Sequence, residues 1–209
     1  MINPISRTSF LIEPLFSGKT FSAQNYDSVT ATGFIWEKGD RKYLVSNFHC
    51  FTGWNYLSKQ YLSSEGVPPD SFNIYLPYEG LLATGLNTIV HHKLCITICK
   101  TGGSPSWICH PKSPAVDVAM IDVTKELANL QPTEFFDVYT KEIHTSATLD
   151  SITPLFFTIN AYGTILDEYV VAGHQAYVVG YPLGSKSIFP IYKGAIIASE
   201  PLFDMEDLP

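Results

Sequence analysis

Short runs of aromatic and β-branched residues, each stopped by a glycine, a proline or a polar turn, recur along the chain. Ala31-Thr32-Gly33-Phe34-Ile35-Trp36-Glu37 meets the turn Lys38-Gly39-Asp40-Arg41 and returns as an apolar run from Lys42 to Phe48. Two such runs about a short Gly-Asp turn predict a hairpin. Further strand-like runs lie at 6–13, 72–76, 87–100, 106–110, 115–123, 169–171, 175–181 and 191–199, the first two ending at Pro14 and Pro77. Helical periodicity is nearly absent, and only 125–130 predicts a short helix. Residues 51–71 read as loop with one helical turn, and 131–153 as an irregular connection. A chain of short strands buries its apolar faces by packing sheet on sheet or by closing a sheet. The expected class is therefore all-β, a sandwich or barrel with Greek-key connections.

The 209 residues suffice for one sizeable domain or two small ones. Apolar residues make up 45% and charged residues 16%, which excludes a disordered chain. The net charge is −7 with no Lys/Arg cluster, so no nucleic-acid partner is expected. No apolar stretch is long enough for a membrane-spanning helix, and no membrane association is expected. The N-terminus, Met1-Ile2-Asn3-Pro4-Ile5-Ser6-Arg7, lacks a basic region followed by an apolar core. The expected location is the cytoplasm, where Cys50, Cys95, Cys99 and Cys109 are free thiols rather than a disulfide framework. His91, His92, Cys95, Cys99, Cys109 and His110 lie close in sequence and raise the question of zinc. Residues 95–99 read as a strand, which separates its two cysteines by about 13 Å, too far for one ion. No metal or cofactor is expected. A metal-dependent hydrolase using His91, His92 and Cys95 is the weaker alternative.

The chemistry centres on Leu44-Val45-Ser46-Asn47-Phe48-His49-Cys50, where an apolar strand delivers one histidine to its end. Asp117 opens another apolar run, Asp117-Val118-Ala119-Met120-Ile121. A histidine and an aspartate on strand ends suit a nucleophilic triad, in which the carboxylate orients the imidazole that activates a hydroxyl. Other acids are Asp122, Asp70 and Asp137. Alternation puts Asp122 on the face opposite Asp117, and Asp70 and Asp137 fall in predicted loops. A histidine after an apolar strand is ordinarily structural, and His91, His92, His110 and His144 have no partner legible in the sequence. His174 falls in a glycine-containing turn.

Four segments together resemble the trypsin-like, chymotrypsin-fold serine peptidases of bacterial type. Thr32-Gly33-Phe34-Ile35 resembles the small-Gly-apolar strand before the histidine, and Leu44 to Cys50 the strand that carries it. Asp117 to Ile121 resembles the aspartate segment. Val178-Val179-Gly180-Tyr181-Pro182-Leu183-Gly184 resembles the Gly-[Tyr/Phe]-Pro-x-Gly segment opening the second barrel. The resemblance covers residues 28–200 and implies two antiparallel β-barrels with the active site in the cleft between them. His49 would be general base and acid, and Asp117 would hold its tautomer.

The chain departs from that pattern in two places. No cysteine lies near 33–36 to pair with Cys50. No Gly-x-Ser-Gly is present either: Gly103-Ser104-Pro105 precedes Asp117, and Gly184-Ser185-Lys186 precedes the strand that should itself precede the serine. The expectation is a peptidase truncated before its nucleophile and oxyanion hole, inactive alone. Residues 1–130 would form the N-terminal barrel with His49 and Asp117, 131–160 the connection, and 161–209 the start of an incomplete second barrel. The implied partners are a peptide or protein substrate of the complete protein, and a second chain or C-terminal segment completing the barrel. The alternative is a degenerate peptidase fold serving as a non-catalytic binding or assembly module.

Overall fold

The computed structural model describes residues 7–16, 30–56, 58–62, 66–99, 104–113, 116–137, 142–159, 175–181 and 190–196. In chain order the elements are β1 (Ser9–Leu15), β2 (Ala31–Lys38), β3 (Arg41–Ser46), α1 (Phe48–Thr52), β4 (Trp54–Asn55) and β5 (Gln60–Tyr61). Then follow β6 (Ser71–Leu82), β7 (Asn87–Thr97), β8 (Trp107–Cys109), β9 (Ala119–Asp122) and α2 (Thr124–Ala128). The last are β10 (Glu134–Asp137), β11 (Ile143–Thr145), β12 (Leu149–Pro154), β13 (Gln175–Gly180) and β14 (Ile191–Ile196). The protein is mostly β, and its strand pairs are antiparallel. One sheet runs β11-β10-β7-β6-β1-β2-β3-β9-β8, with β12 pairing β6 beyond β1 on the flank opposite β7. β13–β14 and β4–β5 form separate two-stranded ribbons.

The β2–β3 hairpin forms as its sequence predicts. Lys38 pairs with Arg41, leaving a two-residue turn whose Gly39 takes φ 63°, a left-handed conformation that costs glycine no Cβ clash. Period-2 alternation buries Ala31 and Ile35 on one face of β2. They join Phe10, Ile12, Leu44, Phe51, Phe72, Ile74, Leu76, Val90, Ile96, Ile121 and Phe135 in one apolar core. Gly33 shares the inward face. A Cβ there would collide with Ile12 and stand 3.1 Å from the carbonyl oxygen of Val45.

The structure differs from the sequence reading in four respects. No closed barrel forms among the described residues. Among the described residues the chain just beyond β7 meets the chain just before β8 at an isolated bridge, Cys99 to Pro105, supported by the Ser106 N–H donating to the Ile98 carbonyl. Of the residues expected to begin a second barrel, those described form the antiparallel β13–β14 ribbon, whose β13 contacts β1 and β2. The predicted strand at 169–171 lies outside the described residues.

Residues 131–153 are not irregular. β10 pairs with β7, β11 with β10, and β12 with β6. These strands are short and bury few residues each, so they carry little periodic signal. β1 and β6 also run through the prolines expected to end them. Pro14 lies beyond the last β1–β2 pair, Ile12 with Ala31. Pro77 lies between the β1 ladder at 71–74 and the β12 ladder at 78–82. Among the described residues each proline sits where one flank of its strand has no ladder partner, so a residue lacking an N–H is tolerated. Finally, β3 stops at Ser46 and β9 begins at Ala119, so His49 and Asp117 stand just outside the strands that were expected to hold them.

Candidate active site

The β3–β9 ladder brings the two predicted site residues together. Tyr43 pairs with Asp122, Leu44 with Ile121, Val45 with Met120 and Ser46 with Ala119. The chain leaving β3 and the chain entering β9 therefore meet at one end of the sheet. Beyond Ser46 the chain turns into α1, a five-residue helix that cannot be stable by itself. Its start is Asn47, with extended φ −64° and ψ 141°. Its stop is Gly53 at φ 69°, whose N–H donates to the His49 carbonyl at 2.9 Å. Aromatic packing holds it down. Phe48 and Phe51 each lie 5.7 Å from the ring of Trp107, and Phe51 lies 4.9 Å from that of Phe72. Trp107 reaches this position because β8 pairs it with Ile121 on β9.

His49 sits on this clamped helix with its side chain 28% exposed. Its Nδ1 lies 2.6 Å from Asp117 Oδ2, and its backbone N–H donates to Asp117 Oδ1 at 2.9 Å. A carboxylate only accepts, so Nδ1 carries the proton, and the neutral ring keeps its Nε2 lone pair for another donor. Asn47 Nδ2 donates to Asp117 Oδ2 and to the Asp117 carbonyl, both at 3.2 Å. Ser46 is turned away, its hydroxyl donating to the Thr32 carbonyl at 2.7 Å. Cys50 faces inward, 3% exposed, and burial pushes its thiol up to about 12 against a hydrogen bond with Ser46, with the Asp117 charge adding to the rise. A thiol held protonated is no nucleophile at neutral pH. The pair is thus an oriented base. Among the described residues no hydroxyl or thiol hydrogen-bonds to the His49 ring.

Compared with protein-family models, with curated proteins and with solved structures, the chain matches none.

The other candidates fall elsewhere. Asp122 pairs with Arg41 at 3.5 Å on the exposed side of β9. Ser104 is exposed in the turn before β8, and Ser185 and His174 lie outside the described residues. His92 Nδ1 lies 3.1 Å from the Glu134 carbonyl, and the Lys112 N–H donates to His110 at 3.1 Å. The four cysteines are free. Among the described residues no three His, Cys, Asp or Glu side chains are arranged to hold a metal ion. No described helix is long and apolar enough to cross a membrane.

Two features escaped the sequence reading. Asn47 reaches Asp117, and an Asn two residues before the histidine was the available signal. Asp137, read as a loop residue, lies on β10 and is 1% exposed. Its Oδ2 accepts from Thr88 Oγ1 at 2.7 Å and lies 3.8 Å from His144 Nε2. His91 is buried on the paired strand β7, and burial pushes it down to about 4 against the Asp137 charge. No sequence pattern links these residues, because their strands are brought together by tertiary pairing.

Proposed function

We propose that this chain carries the general base, His49, and the orienting acid, Asp117, of a serine-type endopeptidase of chymotrypsin-like fold. On this reading the chain alone does not cleave peptides, because its sequence carries no Gly-x-Ser-Gly to supply the serine and its oxyanion hole. The observation that carries the reading is the 2.6 Å contact between His49 Nδ1 and Asp117 Oδ2, with a second bond from the His49 N–H to the same carboxylate. An imidazole so held accepts a hydroxyl proton at Nε2, and the carboxylate stabilises the imidazolium that forms. The fold part has its own support. A barrel requires the sheet to return on itself, and the Cys99–Pro105 bridge brings β7 toward β8, the end strand of its own sheet.

A fluorophosphonate probe should leave this chain unlabelled. It should label a chain extended through the downstream coding sequence, at a serine, and only while His49 is intact. Specific labelling of the 209-residue chain that His49→Ala abolishes would overturn the inactivity. An extended chain that neither labels nor cleaves would overturn the peptidase reading.

A second reading, a non-catalytic binding or assembly module, is favoured by the β13–β14 hairpin. Tyr177, Val178 and Ile196 are each at least 60% exposed there. Apolar side chains on a two-stranded ribbon suit added strands from a partner chain.

A further inference from the structure

We infer that Asn47 is a positioning residue that fixes the Asp117 carboxylate for His49; the inference rests on the oriented pair described above. Asn47 occupies the N-cap position of α1 and has the extended backbone of a cap, yet its side chain makes no capping hydrogen bond. Asparagine is among the best N-caps because its side-chain oxygen accepts a first-turn N–H. Here that stabilisation is given up. The side-chain amide instead donates at 3.2 Å to both the carbonyl oxygen and Oδ2 of Asp117. Both of those atoms only accept, so the group facing them is the NH2 and not the amide oxygen.

One NH2 that bridges the backbone and the carboxylate of a single residue restricts the rotation of that side chain. Asp117 needs such a restraint. Its side chain is 42% exposed, so water competes for the carboxylate. His49 supplies the other two donors, its N–H to Oδ1 and its Nδ1–H to Oδ2. The acid is therefore gripped by one three-residue segment, Asn47 to His49. Without the amide the carboxylate keeps only the two His49 donors and turns more readily into solvent, which loosens the hold on the ring proton at Nδ1. A neutral imidazole in water prefers the proton on Nε2, which is the wrong tautomer for a base acting through Nε2.

The test is the tautomer of His49, read from ring 15N chemical shifts at a pH about 2 units above the ordinary imidazole range. The wild-type chain should show mainly the Nδ1–H form. Asn47→Ala should lower the Nδ1–H to Nε2–H ratio by roughly threefold to tenfold, the worth of one net hydrogen bond. Asn47→Ser keeps a short donor and should recover part of the loss. It also carries the test if the alanine variant fails to fold: a ratio below wild type in folded Asn47→Ser supports the donor role, and a ratio equal to wild type overturns it. Folded Asn47→Ala with the wild-type ratio overturns the inference. A wild-type ring lacking the Nδ1–H form overturns the pair geometry as well. Failure to find a serine nucleophile, by contrast, sinks only the peptidase reading and leaves a shifted tautomer in Asn47→Ala as support for the positioning role.

Discussion

Burial favours the neutral form of two residues with unrelated roles. Cys50 adjoins the candidate base in sequence, yet its side chain points into the core and its thiol stays protonated. His91 is the reverse case in charge and the same in cause, held down to about 4 by burial with Asp137 opposing. A histidine whose folded value lies below its unfolded value of about 6.5 resists protonation only in the native state. Its contribution is therefore full above pH about 6.5 and is lost as pH falls toward 4, by on the order of 3 kcal/mol. Urea unfolding of the wild-type chain should show this loss between neutral pH and pH about 4.5. His91→Gln, less stable at neutral pH, should show a markedly smaller loss over the same window. Equal pH dependence in the two chains would refute the assignment. His49 and Asp117 were legible in the sequence because each sits beside a strand of recognisable pattern. Asp137 and His144 were not, because their strands are too short to announce themselves.

Strand pairing decides what each element tolerates. Gly33 was legible as part of a β run, but the reason for a glycine there lies across the sheet, where the buried Ile12 side chain and the Val45 carbonyl fill the space of a Cβ. Ile12 is fully buried, so the clash falls within the core. Gly33→Ala should therefore destabilise the fold by about 1–3 kcal/mol, the usual cost of overpacking. Thermal melting will measure it, and an unchanged Tm would show that the core relaxes around the methyl. Because β2 hydrogen-bonds to β3 and β3 leads into α1, the same substitution tests how firmly the sheet holds His49. The prolines teach the complementary lesson. Pro14 and Pro77 punctuate the sequence as strand breakers, yet both strands continue, because what a proline costs depends on whether its flank has a partner.

At the scale of the molecule, an antiparallel sheet with an unjoined end and a two-stranded ribbon with exposed apolar residues do not make a self-contained surface. Purified alone, the chain should associate. Light scattering should report a mass above that of one 209-residue chain, rising with concentration. Tyr177→Ser combined with Ile196→Ser should reduce that mass, since both residues are 67% exposed on β13–β14. A well-folded wild-type monomer would count against any reading in which another chain covers this ribbon. The sequence by itself determined the β class and the β2–β3 hairpin and singled out His49 and Asp117 as a candidate pair, because these depend on local alternation, turn chemistry and residue type. Tertiary structure alone decided that the sheet stays open among the described residues, that 134–154 add three strands to it, that Asn47 grips Asp117, and that Asp137 lies among His91, His144 and Thr88. Each of those outcomes depends on which strands become neighbours, and that choice is made by long-range packing between segments whose local patterns carry no address for one another.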